Sequence, residues 1–230
     1  MNPRQGFLLG LRSVLPLLLG VAPFGVIYGV VALQSGIPPL AALAMSSIVF
    51  AGSAQFLLAQ LVGAGAPMLI SAGAVGLINL RHALYSASVA PLLARLPRRW
   101  KMLLAYLLTD EAYAAAIPHL LPGPGKPAAD SAHWILFGSG FGLWAGWQVA
   151  TLVGVVVGAQ LPSGLGLDFA LPLTFIAIVV PMIRSRALLA AALAAGVVAV
   201  LLAALPYKLG LFVAALAGLL VGAALTERRT

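Results

Sequence analysis

The sequence predicts an all-α polytopic membrane protein with about seven or eight transmembrane helices, some of them broken by Gly or Pro. Three observations carry that prediction. First, 62% of the 230 residues are apolar and only 8% are charged, where a soluble domain carries about a quarter charged residues. Second, apolar stretches of about 20 residues, the length of a bilayer crossing, follow one another along the chain between Gly/Pro breakers. Third, the net charge of +8 comes from basic residues at segment ends. They form no stripe with exposed aromatics, so they read as topology determinants and not as a nucleic-acid footprint. Cysteine is absent, which excludes disulfides and thiolate metal sites. A soluble enzyme, a secreted disulfide scaffold and a disordered tail are thereby set aside.

The apolar stretches fall at about 7–33, 40–63, 66–92, 101–121, 131–159, 167–183, 187–205 and 207–225. Separators include Ser35-Gly36-Ile37-Pro38-Pro39, Gly63-Ala64-Gly65-Ala66-Pro67, Arg95-Leu96-Pro97-Arg98-Arg99, Pro122-Gly123-Pro124-Gly125 and Leu161-Pro162-Ser163-Gly164. Arg184 and Arg186 divide the sixth from the seventh, and Pro206 the seventh from the eighth. Trp100 and Trp134 stand at span starts, where amphipathic rings favour the headgroup zone. The first stretch follows Arg4 and resembles a signal peptide. Its run is too long for one, however, and no clear small-residue cleavage site follows. The chain therefore reads as one integral membrane domain over 1–230.

Orientation meets a parity problem. Basic residues cluster at the N-terminus, at 95–101, at 184–186 and at 228–229, and all four clusters favour the cytoplasm. Three apolar segments separate the first cluster from the second, and three more the second from the third. An odd number of crossings cannot return the chain to one side. Either the rule fails for one loop, or one segment in each group is broken or re-entrant; Ala51-Gly52-Ser53-Ala54-Gln55 and Ala170-Leu171-Pro172-Leu173 are the candidates. Phe24-Gly25 and Gly29 recur 117 positions on as Phe141-Gly142 and Gly146. That offset suggests internal repeats at about 7–92 and 131–205, linked by a helix at about 101–121, as in many secondary transporters. Chance similarity between Gly-rich apolar segments is the alternative.

Small residues recur at every fourth position: Gly138, Gly142, Gly146, Ala150, Gly154 and Gly158, with Gly25 and Gly29, and Gly218 and Gly222. Such stripes let helix backbones approach closely in lipid. More informative are the groups that hydrocarbon penalises. Gln55, Asn79, Arg81, His82, Thr109, Asp110 and Glu111 all fall inside spans, and a charge at the bilayer centre costs about 2.5–3.5 kcal/mol even on insertion scales. Folding the third and fourth spans about residue 96 as a helical hairpin sets Arg81 level with Glu111 and His82 level with Asp110. One Arg against two carboxylates leaves a carboxylate to be protonated, hydrated or transiently paired, and His82 is a suitable neighbour for a proton relay. A permanently satisfied ion pair is the bland alternative. The break at Gly52-Ser53 adds a half-helix N-terminus that can receive a carboxylate, with Gln55 placed to orient it.

Phe50-Ala51-Gly52-Ser53-Ala54-Gln55-Phe56, Asn79-Leu80-Arg81-His82-Ala83-Leu84-Tyr85 and Leu108-Thr109-Asp110-Glu111-Ala112-Tyr113-Ala114 closely resemble the AzlC-type large subunit of branched-chain amino acid exporters. Their order and spacing match, and Pro23-Phe24-Gly25 fits too. Beyond residue 115 the resemblance rests on hydropathy and on Phe169 to Pro172. It implies a multi-pass protein of the bacterial inner membrane that exports branched-chain or other apolar amino acids, with a small AzlD-like membrane subunit as partner. Asn79 stands where relatives often have Asp, which moves any proton-carrying role to Asp110 or Glu111. The substrate-binding or coupling residues expected are thus Gly52, Ser53, Gln55, Asn79, Arg81, His82, Tyr85, Asp110 and Glu111, with the proton as coupling ion and no metal or cofactor. Two other classes compete. One is an ATP-dependent permease subunit or noncatalytic scaffold, although no nucleotide motif is present. The other is an intramembrane enzyme using Gly138-Ser139-Gly140 with His82, a string short enough to arise by chance.

Overall fold

The computed structural model describes residues 1–121, 131–161, 183, 185–206 and 209–227, and every regular element among them is helical. The expected breaks at 170–173 and the basic pairs near 184 and 228 therefore lie outside the described residues or at their margin. The chain divides into two compact units, Met1–Ser163 and Gly164–Thr230.

The first unit is built on two long helices, α1 (Pro3–Gln34) and α7 (Ala132–Gly158). Asn2 and Gln5 close a capping box at the start of α1, and the helix runs on through Pro16 and Pro23. The glycine stripe packs it against α7. A Cβ at Gly10 would overlap the carbonyl oxygen of Ile135, one at Gly138 that of Phe7, and one at Gly154 that of Val26. The contacts advance together, from Gly6 on Trp134 through Gly25 on Ala150 to Val30 on Gly158. The two helices are therefore parallel. One end of the unit, the near end, holds the start of α1; the far end holds Gln34 and Gly158.

The stretch 40–63 does not cross. It forms α2 (Pro39–Ile48) and α3 (Gly52–Gly63), and α3 ends beside the residue from which the hairpin departed, a Cβ at Gly63 standing 3.3 Å from that of Ser35. Halfway along, Ser47 bonds Gln148 and Gly52 lies under Trp147. Each arm of 10 or 12 residues is about 15–18 Å long, half the hydrocarbon thickness of about 30 Å. The helix α4 (Met68–Val89) then crosses to the near end, extended by a 3₁₀ turn at Ala90–Leu93.

The stretch 101–121 turns back as well. Its first arm, α5 (Arg98–Leu107), starts at the near end, where Trp100 meets Trp134 edge-on at 4.9 Å, and rises until Leu107 faces Gly140. Its second arm, α6 (Asp110–Leu120), descends until His119 bonds Ser13 and Leu120 joins Ala132 and Ile135 in one apolar cluster. Two of the expected transmembrane helices are thus helical hairpins that enter from opposite ends and stop midway. The expected span at 167–183 lies outside the described residues apart from Ile183. Four helices among the described residues are long and apolar enough to cross a membrane: α1, α4 with its 3₁₀ turn, α7 and one in the second unit.

This resolves the first parity problem. The chain crosses in α1, doubles back in α2–α3 and returns in α4, so Arg4, Arg12 and the Arg95–Lys101 turn share the near end. The order hairpin then crossing helix occurs twice, as α2–α4 and as α5–α7, in opposite directions. The second half of the repeat expected at 131–205 includes residues outside those described. In the second unit, α8 (Arg186–Leu201), capped by Ser185, packs antiparallel on α9 (Leu209–Glu227). Gly210 there meets Leu202, and Gly218 meets Ala191 and Ala195.

Candidate functional site

Both hairpin tips lie midway along the first unit, and each breaks for a local reason. At the first tip Phe50 has φ 38°, a left-handed conformation costly for a bulky residue, and it is held there by burial against the Tyr106 ring at 5.8 Å. The break thus falls at Val49–Ala51, slightly before the expected Ala51–Gln55. Gly52, Ser53 and Ala54 form the first turn of α3, whose N-cap Ala51 offers no side-chain acceptor. At the second tip Thr109 caps α6 by accepting from the Ala112 N–H at 3.3 Å. Asp110 and Glu111 occupy its first turn, where the helix dipole favours negative charge.

Arg81, projecting from the middle of α4, joins the two tips. Its Nη1 donates to Asp110 Oδ2 at 3.0 Å and its Nη2 to Ser53 Oγ at 2.9 Å. Arg81 therefore pairs with Asp110, not with Glu111 as depth counting from residue 96 would have it. The count fails because 101–121 is not one continuous helix. Glu111 sits beside Asp110 and Thr109, with no cation in salt-bridge range among the described residues. Tyr85 stacks on Tyr113 at 5.0 Å, and Tyr113 bonds Ser88 at 2.8 Å, fastening α6 to α4.

The ends of the first arms are tied to α7 instead. Tyr106 donates to the Ser47 carbonyl and accepts from Trp144 Nε1 at 2.8 Å. Gln148 donates to the Ser46 carbonyl at 3.1 Å, and Ser46 and Thr151 share a bond of 2.9 Å. The fully buried Gln55 accepts from Trp147 Nε1 at 3.0 Å. The Ser46 and Ser47 carbonyls at the C-terminus of α2 are thus bonded by Gln148 and Tyr106, whereas two helix N-termini converge on Arg81.

Three polar atoms of α4 are buried without a hydrogen-bond partner among the described residues: Asn79 Oδ1, Arg81 Nε and His82 Nε2. Such groups cost about 1–3 kcal/mol each when unsatisfied, and here they supply donors and acceptors together. The Gln55 side chain faces Trp147 and the Tyr28 hydroxyl instead. Sequence reasoning missed Tyr106 and Ser47, which are ordinary residues of an apolar run. It also missed the second break, although Thr109-Asp110-Glu111 carries a helix-start signature of cap and acidic first turn. Ser139 is fully buried and donates to the Leu136 carbonyl at 3.1 Å. His133 packs edge-on against the Trp100 ring at 5.2 Å.

Comparison with known proteins agrees with this picture of a helical membrane protein. The chain is 30% identical to the inner membrane protein YgaZ of Escherichia coli, over 94% of this chain and 87% of that protein. It is 29% identical to a membrane protein of Archaeoglobus fulgidus, over 91% and 90% of the two chains. A Helicobacter pylori membrane protein is 28% identical over 70% and 68%. No solved structure matches. The AzlC protein family model covers residues 16–161, which include both hairpins and Arg81. The chain belongs to the AzlC family.

Proposed function

We propose that the protein is the large subunit of a two-component exporter of branched-chain or other apolar amino acids, working in the bacterial inner membrane and driven by protons. One observation supports this above all: Arg81 is held between the first turns of two opposed half-helices by Ser53 and Asp110. Unsatisfied N–H groups at a helix start favour an anion. In this reading the substrate carboxylate takes the N–H groups of Gly52–Ala54 together with Arg81 Nε, and Gln55, held by Trp147, orients that turn. The ammonium takes Glu111 and Asn79 Oδ1, and Asp110 or Glu111 carries the coupling proton, with His82 alongside. The near end, with Arg4, Arg12, Arg95, Arg98, Arg99 and Lys101, faces the cytoplasm by the positive-inside rule. A small AzlD-like membrane subunit is the partner.

Counterflow of labelled leucine or valine in proteoliposomes tests the proposal, with this chain alone and with its small partner. Exchange without ATP that vanishes in Asp110→Asn or Glu111→Gln, with protein still in the membrane, is the expected result. An ATP requirement would point to a permease subunit. No exchange of any amino acid by both components together would remove the transporter reading.

A further inference from the structure

A cavity of about 230 Å³ lies in the near half of the first unit, between α4, α5 and α7. Its walls are the aliphatic side chains of Val89, Leu93, Leu104, Leu108 and Leu136, all buried. Its polar lining is Ser86 and Lys101, and Lys101 is tied off by a 2.8 Å bond to the Ala94 carbonyl. Leu108 is the residue just before the Thr109 cap, so the inner end of the cavity is the second hairpin tip. On α4 the lining residues Ser86, Val89, Ala90 and Leu93 continue a stripe that begins with Asn79 and His82, at the three-to-four residue spacing of one helix face. Asn79 Oδ1 and His82 Nε2, which have no partner among the described residues, therefore lie on the same face one to two turns beyond the apolar chamber.

We infer that this chamber is the side-chain pocket of the amino acid site. The inference rests on the transport reading above and names the residues that set its selectivity. The space is open along its Ala90–Ala105 rim, and its volume of about 230 Å³ exceeds the roughly 150 Å³ that takes up a benzene molecule, so a branched four-carbon side chain fits between its walls. An amino acid whose charged groups lie at the hairpin tips has such a chain directed past Leu108 into this space. Leu104, Leu108 and Leu136 then determine how large a side chain is accepted, and Ala90 and Ala105 at the exposed rim determine how easily it enters.

Filling the chamber from its exposed rim, and separately enlarging it at one wall, tests this. Ala105→Phe and Ala90→Leu are compared with the wild type in leucine and alanine counterflow and in stabilisation of the purified protein by each amino acid. The wild type should prefer leucine over alanine by tenfold or more. Both variants should bring that ratio to within threefold while alanine exchange persists, and Leu136→Ala should extend the range to phenylalanine. An unchanged leucine-to-alanine ratio in both rim variants overturns the pocket and leaves the transporter reading standing. A wild type that, together with its small partner, neither binds nor exchanges any amino acid overturns that reading, and the pocket with it.

Discussion

Arg81 concentrates the chemistry of this molecule in one side chain. It bonds both hairpin tips, and its buried Nε–H has no partner among the described residues. Losing a hydrogen bond to a charged group costs about 1.5–3 kcal/mol, so Arg81→Ala should weaken leucine binding roughly tenfold to a hundredfold, as read by thermal stabilisation against leucine concentration. Arg81→Lys keeps the charge but loses the planar fork that reaches Ser53 and Asp110 together, and it should recover only part of that loss. Because a lone Arg or Asp in this site is worse than neither, Arg81→Ala/Asp110→Ala should melt above each single variant. Phe50 gives a second prediction at this scale. At φ 38° glycine is strain-free, whereas an L residue pays about 1–2 kcal/mol. Phe50→Gly should therefore be more stable in chemical denaturation than Phe50→Ala by about 1 kcal/mol, the reverse of their order inside a helix. The reactive residue types at this centre were legible in the sequence, since Arg81, Asp110, Glu111 and Gln55 are costly in hydrocarbon. Tyr106 and Ser47 were not, because their role comes from a carbonyl freed by a helix end and not from their own chemistry.

Among elements, the contact between α1 and α7 is set by glycine. Gly10, Gly138 and Gly154 each lie where a Cβ would overlap a carbonyl of the other helix, while Gly20, Gly73 and Gly76 have nothing within 4 Å. The same substitution should thus have opposite signs at the two sets. Gly10→Ala and Gly138→Ala should lower the melting temperature steeply or abolish folded yield, and Gly76→Ala should raise stability by about 0.5–1 kcal/mol through helix propensity. Fluorescence-detected size exclusion after heating separates the outcomes. The stripe at every fourth position was plain in the sequence; which helix it met was not, because spacing fixes a face and leaves its partner open. The hairpins show the same limit. The apolar stretches of a hairpin and its crossing helix look alike whether the chain crosses or turns back, and only the Thr109 cap and the Gly52 start mark the turn.

Across the whole molecule, the direction from which each hairpin enters sets the site. Two hairpins entering from opposite ends make both groups of half-helix N-termini meet at one depth, and α4 carries Arg81 through that depth. Composition made the bilayer setting clear, and the basic clusters posed a parity question that the doubled-back segment at 40–63 answers. The chain contains no cysteine, so single cysteines report sidedness cleanly. The most direct test is labelling of Gln34→Cys, Ala64→Cys, Ala94→Cys and Leu121→Cys with a membrane-impermeant maleimide in right-side-out and inverted vesicles. The account predicts that Gln34→Cys and Ala64→Cys label from one side, and Ala94→Cys and Leu121→Cys from the other. Labelling of Gln34→Cys and Ala64→Cys from opposite sides would make 40–63 a crossing and contradict the meeting of the hairpins on which the site depends.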